Sequence, residues 1–408
     1  MSELLRPRQA KQVEEAVCWA LGQGKTLEIL GCGTKRAIGR AAQWDATLDM
    51  SGLSGVTLYE PEELVLSAKA GTPLAEIETL VVASRQELAF EPMDYGPLLA
   101  GTFGAGTIGG AIAANLSGPR RIKAGAARDH FLGFTAVSGR GETFKSGGRV
   151  VKNVTGYDLC KLMAGSWGTL AAMTDVTIKT LPKAETEQSI LVLDLDDGTA
   201  RKVMTATMGS FADVSAAAHL PAQLAARVSE TASLQGAVTA FRLEGVAPSV
   251  AQRKAVLEKL LGPFGALANL DDVPSRALWR AIRDVMPFAA NGAVGGHDVW
   301  RISTAPTRGI DIGRALVDEA GAEILYDWAG GLIWAALPRS DDARAPLVRS
   351  TVAAAGGHAT LIRAPAAVRA KVEVFMPEPA PLAALTQRVR KGFDPQGVLN
   401  AGRMWAGV

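Results

Sequence analysis

An uncharged, glycine-rich stretch at residues 95–119 restricts the possible folds of this chain more than any other feature. Its 25 residues include seven glycines and no charged side chain, so in length alone it could cross a membrane. So much glycine makes a poor lipid-facing helix, and Pro97, Asn115 and Pro119 interrupt it further. We therefore expect backbone that folds closely against a buried group rather than a membrane span.

Helical and strand patterns alternate on both sides of this stretch. Residues 9–21 carry an apolar stripe that predicts an opening helix, and residues 26–30 predict a short strand. Residues 130–137 and 142–145, separated by a glycine-containing turn, predict a hairpin. Because 408 residues exceed the roughly 250–300 at which one core stops growing, we predict two domains, with a boundary in the polar segment 183–188.

Strand patterns alternate with helical ones beyond that boundary. This arrangement predicts an α+β fold in which a sheet carries helices on one face. The predicted strands lie near residues 189–195, 238–243, 299–303, 324–328 and 332–336.

Charge and cysteine content exclude several classes of protein. The 43 basic and 41 acidic residues give a net charge of +2, which offers no footprint for nucleic acid. Cys18, Cys32 and Cys160 are odd in number and lack the paired spacing of a disulfide framework or of metal ligands. The first residues contain no apolar core of a signal peptide, so we expect a cytoplasmic protein.

The first loop with chemical information follows the strand at residues 26–30. It reads Gly31, Cys32, Gly33, Thr34, Lys35. Glycine lets backbone N–H groups approach a pyrophosphate, a threonine hydroxyl can add a donor, and Lys35 can offset phosphate charge. Taken alone, the loop could equally be an ordinary strand-to-loop turn.

The second loop spans residues 101–110 and leads into a predicted short helix that ends near Asn115. Gly104, Gly106 and Gly109 have the G-x-G-x-x-G spacing of a nicotinamide dinucleotide fingerprint. That fingerprint should follow a β-branched strand, whereas residues 92–100 contain two prolines, an aspartate and a glycine. The sequence therefore favours a dinucleotide site of another kind.

The order and spacing of these loops resemble the FAD-binding domain of the vanillyl-alcohol oxidase and p-cresol methylhydroxylase (PCMH) superfamily. Residues 31–35 stand at the family's G-G-G-T-S-like loop, residues 106–110 at its A-T-I-G-G segment, and residues 165–170 at its G-S-x-G-T-L-G segment. The resemblance implies a PCMH-type FAD-binding domain at 1–183, a smaller α+β cap domain with an antiparallel sheet at 184–380, and a tail at 381–408 that returns to the FAD domain.

The resemblance also implies which residues hold FAD. The family's flavin-linking histidine has no counterpart in the first loop, so FAD is expected to bind non-covalently. Met173 and Val176 are expected near the adenine, and Asn115, Ser117 and Gly118 near the flavin ring. The implied cofactor-binding residues are Gly31, Cys32, Gly33, Thr34, Lys35, Gly101, Gly104, Gly106, Thr107, Ile108, Gly109, Asn115, Ser117, Gly118, Gly168, Met173 and Val176.

Two further segments are similar to the branch of this superfamily that oxidises 2-hydroxy acids such as glycolate and D-lactate. They are the K-N-V-T-G-Y-D-L string at residues 152–159 and the F-D-P-Q-G-V-L-N-A-G-R tail at residues 393–403. The short chain length, the S-G-P-R-R segment at residues 117–121, and Trp300-Arg301 with Asp327-Trp328 make the chain resemble the FAD-binding subunits of bacterial glycolate oxidases. The implied partners are a catalytic FAD-containing subunit and an iron–sulfur subunit, through which the chain could reach the inner membrane.

The residues for substrate chemistry are less evident. Oxidation of a 2-hydroxy acid needs a base and a cation for the carboxylate, and the H-x-G-D-G-N-x-H segment of related catalytic subunits is missing. Arg301 and His297 are the candidate catalytic residues, although Arg301 could be a structural ion pair and His297 a polar loop residue. Three hypotheses follow: an FAD subunit that relays electrons, a self-sufficient D-2-hydroxyacid dehydrogenase, and a scaffold whose flavin site has decayed at Cys32 and Ala171.

Overall fold

The computed structural model describes residues 3–149 and 156–406. It begins with a parallel sheet of three strands in the order β1-β3-β2. These strands are β1 (Glu3–Leu5), β2 (Leu27–Leu30) and β3 (Ala46–Asp49), and α1 (Ala10–Gln23) connects the first two. The helix lies where the apolar stripe predicts it, and it ends at Gly24 because the φ of 62° there reverses the backbone.

A five-stranded antiparallel sheet follows, in the order β4-β5-β9-β7-β8. The hairpin that its last two strands form is the one predicted near residues 130–145. A two-stranded pair, β6 (Gln86–Glu87) with β10 (Leu181–Pro182), lies beside it. The five strands are β4 (Val56–Glu60), β5 (Val65–Lys69), β7 (Phe131–Ser138), β8 (Thr143–Gly147) and β9 (Ala171–Lys179).

Short helices connect these strands and include the glycine-rich stretch. Thr107 caps one of them by accepting a hydrogen bond from the Gly110 amide at 3.3 Å. The helices are α2 (Leu74–Ala83), α3 (Gly96–Leu99), α4 (Ile108–Ala113), α5 (Arg121–Ala124), α6 (Ala127–His130) and α7 (Leu159–Met163).

The second half of the chain forms an eight-stranded sheet in the order β14-β11-β13-β12-β16-β17-β15-β18, with every neighbouring pair antiparallel. Five strands were predicted, and β12, β14 and β18 are additional. The strands are β11 (Thr186–Leu193), β12 (Ala216–Leu220), β13 (Val238–Gly245), β14 (Leu267–Leu270), β15 (Asp298–Ser303), β16 (Glu323–Asp327), β17 (Leu332–Leu337) and β18 (His358–Arg363).

The two faces of this sheet pack against different partners. Its outer face is covered by α8 and α10 at one end and by α12 and α13 at the other. Its inner face, which includes Leu325 and Trp334, shares one core with Tyr95 and Leu98 of the first half. The helices are α8 (Asp197–Met208), α9 (Ala222–Ala225), α10 (Ala247–Leu261), α11 (Asp272–Arg283), α12 (Pro306–Ala320), α13 (Ala345–Ala355), α14 (Ala366–Lys371) and α15 (Ala380–Phe393).

The tail that follows α15 returns to the first sheet. Leu399 forms a parallel bridge with Leu27 of β2, and the Leu27 amide donates to the Val398 carbonyl at 2.7 Å. The four sheets and this returning tail are the features of a two-part α+β fold. They also support, as a proposal, the division into domains at 1–183, 184–380 and 381–408.

No helix within residues 3–149 and 156–406 is long and apolar enough to cross a membrane. The glycine-rich stretch instead contributes α3 and α4, whose Leu98, Ile108 and Ile112 are fully buried. The expectation of backbone folded against a buried group therefore holds for the parts around α3 and α4, whereas residues 100–103 between them are exposed.

Candidate functional site

A cleft with an empty volume of about 710 Å³, part of it open to solvent, separates the two sheets of the first half. The loop after β2, the helix α4, the start of β9 and the tail line it. Nine of the residues expected to bind the cofactor are in this lining: Gly31, Cys32, Gly33, Thr34, Lys35, Thr107, Gly109, Gly168 and Met173.

Close packing explains why glycine lines this cleft. A Cβ atom on Gly31 would collide with Thr107, and one on Gly109 would lie 2.7 Å from the Ala70 carbonyl oxygen. Gly33 has a φ of 72°, in the left-handed region that glycine favours. Backbone amides can therefore approach a ligand in the cleft without intervening side chains, as an anionic ligand requires.

Lys35 brings a positive charge into the cleft. Its ammonium donates a hydrogen bond to Thr34 Oγ1 at 3.2 Å, and it has no ion pair with any residue that the structure describes. Burial, followed by the neighbouring charge of Arg403, lowers the pKa of Lys35 to about 8. The ammonium form is therefore poorly stabilised by the protein alone.

Arg403 of the tail is a second cation in the same lining. One of its terminal nitrogens donates to the Lys35 carbonyl at 2.8 Å, and its Cζ lies 5.5 Å from the centre of the Trp167 ring. Burial lowers the pKa of Arg403 to about 10, and its Nε is buried without a hydrogen-bond partner among the described residues. Arg403 therefore brings a second positive charge and a donor without a partner to the cleft.

These features fit FAD, whose pyrophosphate supplies two adjacent negative charges. Two neighbouring cations without a carboxylate partner would otherwise repel one another in a partly buried site. The glycine-lined amides and the Thr34 hydroxyl add donors without adding bulk. We expect Lys35, Arg403 and the loop at residues 31–34 to hold the pyrophosphate.

Asn400 positions the tail against the cleft. Its amide oxygen accepts from the Ile29 backbone N–H at 2.8 Å, and its Nδ2 donates to the Trp167 carbonyl at 2.7 Å. It is buried with a φ of 46°, a left-handed conformation that asparagine adopts more readily than most residues. This one side chain joins β2, the loop before β9 and the segment that carries Arg403.

The remaining expected FAD residues lie outside the cleft lining. Gly101, Gly104 and Gly106 precede it in the glycine-rich stretch, and the Gly104 amide donates to Asp94 at 2.5 Å. Ile108 and Val176 are fully buried in the core, so their side chains pack within the protein.

Asn115, Ser117 and Gly118 continue from α4 toward the eight-stranded sheet. The Asn115 and Ser117 side-chain oxygens accept hydrogen bonds from the amides of Arg128 and Ala127. The Gly118 carbonyl accepts from Trp328 Nε1 at 2.9 Å. Residues 115–118 thus lead from the cleft to the inner face of the sheet.

A second group of side chains gathers at that inner face. Arg301 of β15 lies with its Cζ 5.1 Å from the Trp328 ring centre and 5.9 Å from that of Trp334. The Arg121 Cζ lies 4.4 Å from the same Trp328 ring, and the Tyr95 ring meets Trp334 edge-on with centroids 6.5 Å apart. The guanidinium of Arg301 has no hydrogen bond or ion pair with a described residue, so the structural ion pair considered for it is not formed.

The other candidate, His297, lies in the loop before β15. Its carbonyl accepts from Arg363 Nε at 3.0 Å, and four residues of extended chain, about 13 Å, separate it from Arg301. The groups that perturb the pKa of Arg301 are Tyr95, Arg121 and Asp327, after burial itself. The ionisable side chains around Arg301 therefore include Tyr95, Arg121 and Asp327, and His297 is not among them.

Several residues of these sites were not singled out from the sequence. Arg403 belongs to the tail motif that carries the resemblance, so its motif was the available signal. Gly110 and Trp167 likewise lie in the segments at residues 106–110 and 165–170 that carry the resemblance. Tyr95 has no comparable signal, since it becomes a neighbour of the other residues only through the fold. Residues 152–155 of the K-N-V-T-G-Y-D-L string lie outside the described residues.

Comparisons with known proteins identify the family of this chain. The family described as FAD binding domain matches residues 2–147. The glycolate oxidase subunit GlcE of Escherichia coli (strain K12) is 32% identical over 396 residues, which cover 96% of this chain and 96% of that protein. The glycolate oxidase subunit GlcD of Bacillus subtilis (strain 168) is 39% identical over 118 residues, or 29% of this chain and 24% of that protein.

Solved structures of alkyldihydroxyacetonephosphate synthase share the fold. One has a TM-score of 0.69 at 16% identity, and the match covers 97% of this chain and 75% of that one. At such low identity the likeness concerns the fold alone. It agrees with the PCMH-type architecture expected from the sequence.

Proposed function

The chain belongs to the family of the glycolate oxidase subunit GlcE, and from this premise we propose that it is the FAD-binding subunit of a complex that oxidises glycolate or a close 2-hydroxy acid. It is an FAD-dependent oxidoreductase of the hydroxy-acid class, and FAD is its cofactor. Within the complex, its role is to carry electrons from a catalytic flavoprotein subunit toward an iron–sulfur subunit.

The pair of cations in the cleft is the observation that carries this proposal. Lys35 and Arg403 lie together without a described carboxylate partner, and the cleft around them is lined by glycine. A decayed flavin site would have no reason to keep two cations that repel one another in a partly buried cleft. When bound, FAD supplies the capacity to accept two electrons and to pass them on singly.

FAD is held without a covalent bond in this proposal. None of the described residues that line the cleft is a histidine, and the one cysteine there is Cys32. Burial, followed by the charge of Asp49, raises the pKa of the Cys32 thiol. A protonated thiol is a poor nucleophile, so Cys32 is unsuited to attach the flavin.

The relay role is supported by the missing H-x-G-D-G-N-x-H segment. A self-sufficient D-2-hydroxyacid dehydrogenase is the second candidate, because Arg301 is free to meet a substrate carboxylate. The resemblance and the unpaired spacing of Cys18, Cys32 and Cys160 support the assignment of the iron–sulfur centre to a partner. We place the complex in the cytoplasm, with any contact to the inner membrane made by partners.

An anaerobic visible spectrum of the purified chain, recorded before and after addition of glycolate, tests these alternatives. We expect stoichiometric flavin bands that persist with glycolate and bleach only when the catalytic flavoprotein subunit is also added. Bleaching by glycolate alone would establish the self-sufficient enzyme. Absence of flavin, together with no binding of added FAD, would overturn the proposal in favour of a scaffold.

A matched pair of glycine variants provides the control. Gly109→Ala places a methyl group 2.7 Å from the Ala70 carbonyl, whereas Gly262→Ala, far from the FAD-binding loops in sequence, meets nothing within 4 Å. We expect Gly109→Ala to lose its flavin bands and Gly262→Ala to keep them. Equal retention in both variants would show that the flavin is bound elsewhere.

A further inference from the structure

Arg301 is a half-buried cation without an anionic partner, on the inner face of the eight-stranded sheet. In register, it stands opposite Trp334 of β17 and Thr360 of β18. Its side chain forms no hydrogen bond or ion pair within residues 3–149 and 156–406. A guanidinium has five N–H donors, and withdrawing them from water without acceptors is unfavourable.

Aromatic rings form the walls around this guanidinium. Trp328 and Trp334 are 4% and 2% exposed, and their ring centres lie 5.1 and 5.9 Å from the Arg301 Cζ. Tyr95 is also buried and packs edge-on against Trp334. Cation–π contacts offset part of the desolvation of Arg301, but they leave its N–H donors unused.

A second arginine contacts the same indole. The Arg121 Cζ lies 4.4 Å from the Trp328 ring centre, and Arg121 is exposed at the end of the segment that leads from residues 115–118. Burial, followed by the charge of Arg128, lowers the pKa of Arg121. Two guanidinium groups therefore gather around one ring, and an anion between them would relieve their mutual repulsion.

None of the other ionisable groups near Arg301 forms an ion pair with it among the described residues, although the charge of Asp327 partly opposes the lowering of the Arg301 pKa by burial. Asp327 is 2% exposed, its carboxylate accepts from the Trp328 amide at 2.7 Å, and burial raises its pKa to about 7. Partial burial, followed by the charges of Arg301 and Arg121, lowers the pKa of His358, so its imidazole is neutral at pH 7. The Tyr95 hydroxyl is a neutral donor, since burial raises its pKa.

The Trp328 indole also shows how the side chains around Arg301 lie relative to residues 115–118. Trp328 Nε1 donates to the Gly118 carbonyl at 2.9 Å, and the resemblance places Gly118 near the flavin ring. The sheet and the glycine-rich stretch therefore meet at Trp328. A ligand beside this indole lies next to the part of the chain where redox chemistry is expected.

We propose that Arg301, Arg121 and Tyr95 form a binding site for the carboxylate of a small 2-hydroxy or 2-oxo acid, with Trp328 and Trp334 as its walls. This site deepens the proposed function and rests on it, because it names the ligand class and the residues that receive it. Arg301 supplies the bidentate fork, Arg121 a second positive charge, and the Tyr95 hydroxyl a further donor.

Calorimetric titration of the FAD-loaded chain with oxalate, a two-carbon carboxylate that glycolate chemistry cannot consume, tests the site. We expect Arg301→Met to weaken oxalate binding about tenfold or more, and Arg301→Lys to restore part of it because the charge returns without the fork. Arg121→Met should weaken binding by up to about fivefold. Arg201→Met removes an arginine that is paired with Asp311 at 2.9 Å elsewhere and should change nothing.

Thermal unfolding separates a binding role from a structural one. A structural arginine would lower the melting temperature when replaced, whereas removal of an unpaired half-buried cation should leave it unchanged or raise it. Oxalate should raise the melting temperature of the wild-type chain but not that of Arg301→Met. A fall in melting temperature with unchanged oxalate affinity would overturn the proposal.

Two further outcomes keep the inference distinct from the proposed function. Flavin bands without measurable oxalate binding would reject the carboxylate site and leave the FAD subunit standing. A chain without flavin that still bound oxalate through Arg301 would support the carboxylate site and reject the FAD subunit. Inorganic phosphate that bound as tightly as oxalate would show a general anion site and contradict the carboxylate assignment.

Discussion

Lys35 makes FAD binding depend on pH. In the free cleft its pKa is lowered to about 8, because burial and then Arg403 disfavour the ammonium. The pyrophosphate favours that ammonium, so the pKa rises when FAD binds. FAD affinity should therefore be highest below pH 8 and should fall above pH 8, by at most about tenfold per pH unit. Equilibrium titration of the apoprotein with FAD between pH 7 and 9, below the pKa of about 10 of Arg403, measures the effect.

Variants of Lys35 separate this titration from other alkaline effects. Lys35→Arg keeps its charge and should give a flat profile, whereas Lys35→Met should be flat and weaker at pH 7. Lys202→Met, which alters an exposed lysine of α8, should retain the wild-type slope. The idea is wrong if Lys35→Arg shows the same alkaline fall as the wild type.

The sequence alone predicts which site residues lie together when those residues are neighbours along the chain. Gly31, Gly33, Thr34 and Lys35 lie within five consecutive positions, so the sequence itself places them in one loop. Arg301 was identified as a candidate, but its surroundings were not, since Trp328, Tyr95 and Arg121 approach it from distant parts of the chain. Such assemblies depend on strand register and chain crossings, which a single sequence does not state.

At the scale of elements, the tail is the part that completes the cofactor cleft. Replacing Asn400 with alanine removes the acceptor for the Ile29 amide and the donor to the Trp167 carbonyl. Buried groups left unpaired cost about 1–3 kcal/mol each. We expect Asn400→Ala to lower the free energy of unfolding by about 3 kcal/mol and to reduce FAD affinity, as measured by urea denaturation and by titration.

The matched control is Gln396→Ala, which alters an exposed residue of the same segment. It should leave both the unfolding midpoint and FAD affinity at wild-type values. If Asn400→Ala destabilised the chain but bound FAD normally, the tail would be a structural element only and Arg403 would lose its proposed role.

The sheets show why some elements escaped sequence-based prediction. Strand β12 (Ala216–Leu220) reads A-A-A-H-L, and alanine favours helices, yet all five of its residues are buried between β13 and β16. Strands β11, β13, β15 and β17 are rich in β-branched or aromatic residues and were predicted near their observed positions. Tertiary burial decides the conformation of β12, and local propensity opposes it.

At the scale of the whole molecule, a buried ionic network joins the two halves. Arg242 of β13 pairs with Glu91 through hydrogen bonds of 2.7 and 3.1 Å. Arg120 is the residue directly after the glycine-rich stretch, and it pairs with Glu244 of β13 at 2.5 Å. Burial alone would raise the pKa of Glu91, but Arg242 and Arg120 hold it at about 2.

This network should contribute to stability at neutral pH. Arg242→Met removes a buried positive charge that pairs with the carboxylates of Glu91 and Glu244. We therefore expect a loss of about 3–5 kcal/mol in the free energy of unfolding. A carboxylate with a depressed pKa stabilises the fold above its unfolded value near 4.5 and loses that effect as the pH falls toward 2. The difference between wild type and Glu91→Gln should therefore shrink over this range.

Urea denaturation across pH 2–7 measures both effects. The comparison variant is Arg201→Gln, whose pair with Asp311 lies at the surface and should contribute less than about 1 kcal/mol. A pH-independent difference between wild type and Glu91→Gln would mean that packing, and not charge, holds these residues together.

The returning tail also orders events during synthesis. Asn400 follows its partner Ile29 by 371 residues, so the loop at residues 31–35 leaves the ribosome long before the residues that complete the cleft. At 5–20 residues per second, this interval lasts about 20–75 s. A nascent chain has no finished pocket during that time. Chains whose translation stops before the tail should therefore lack FAD, and bound FAD should be found only in chains that include the tail.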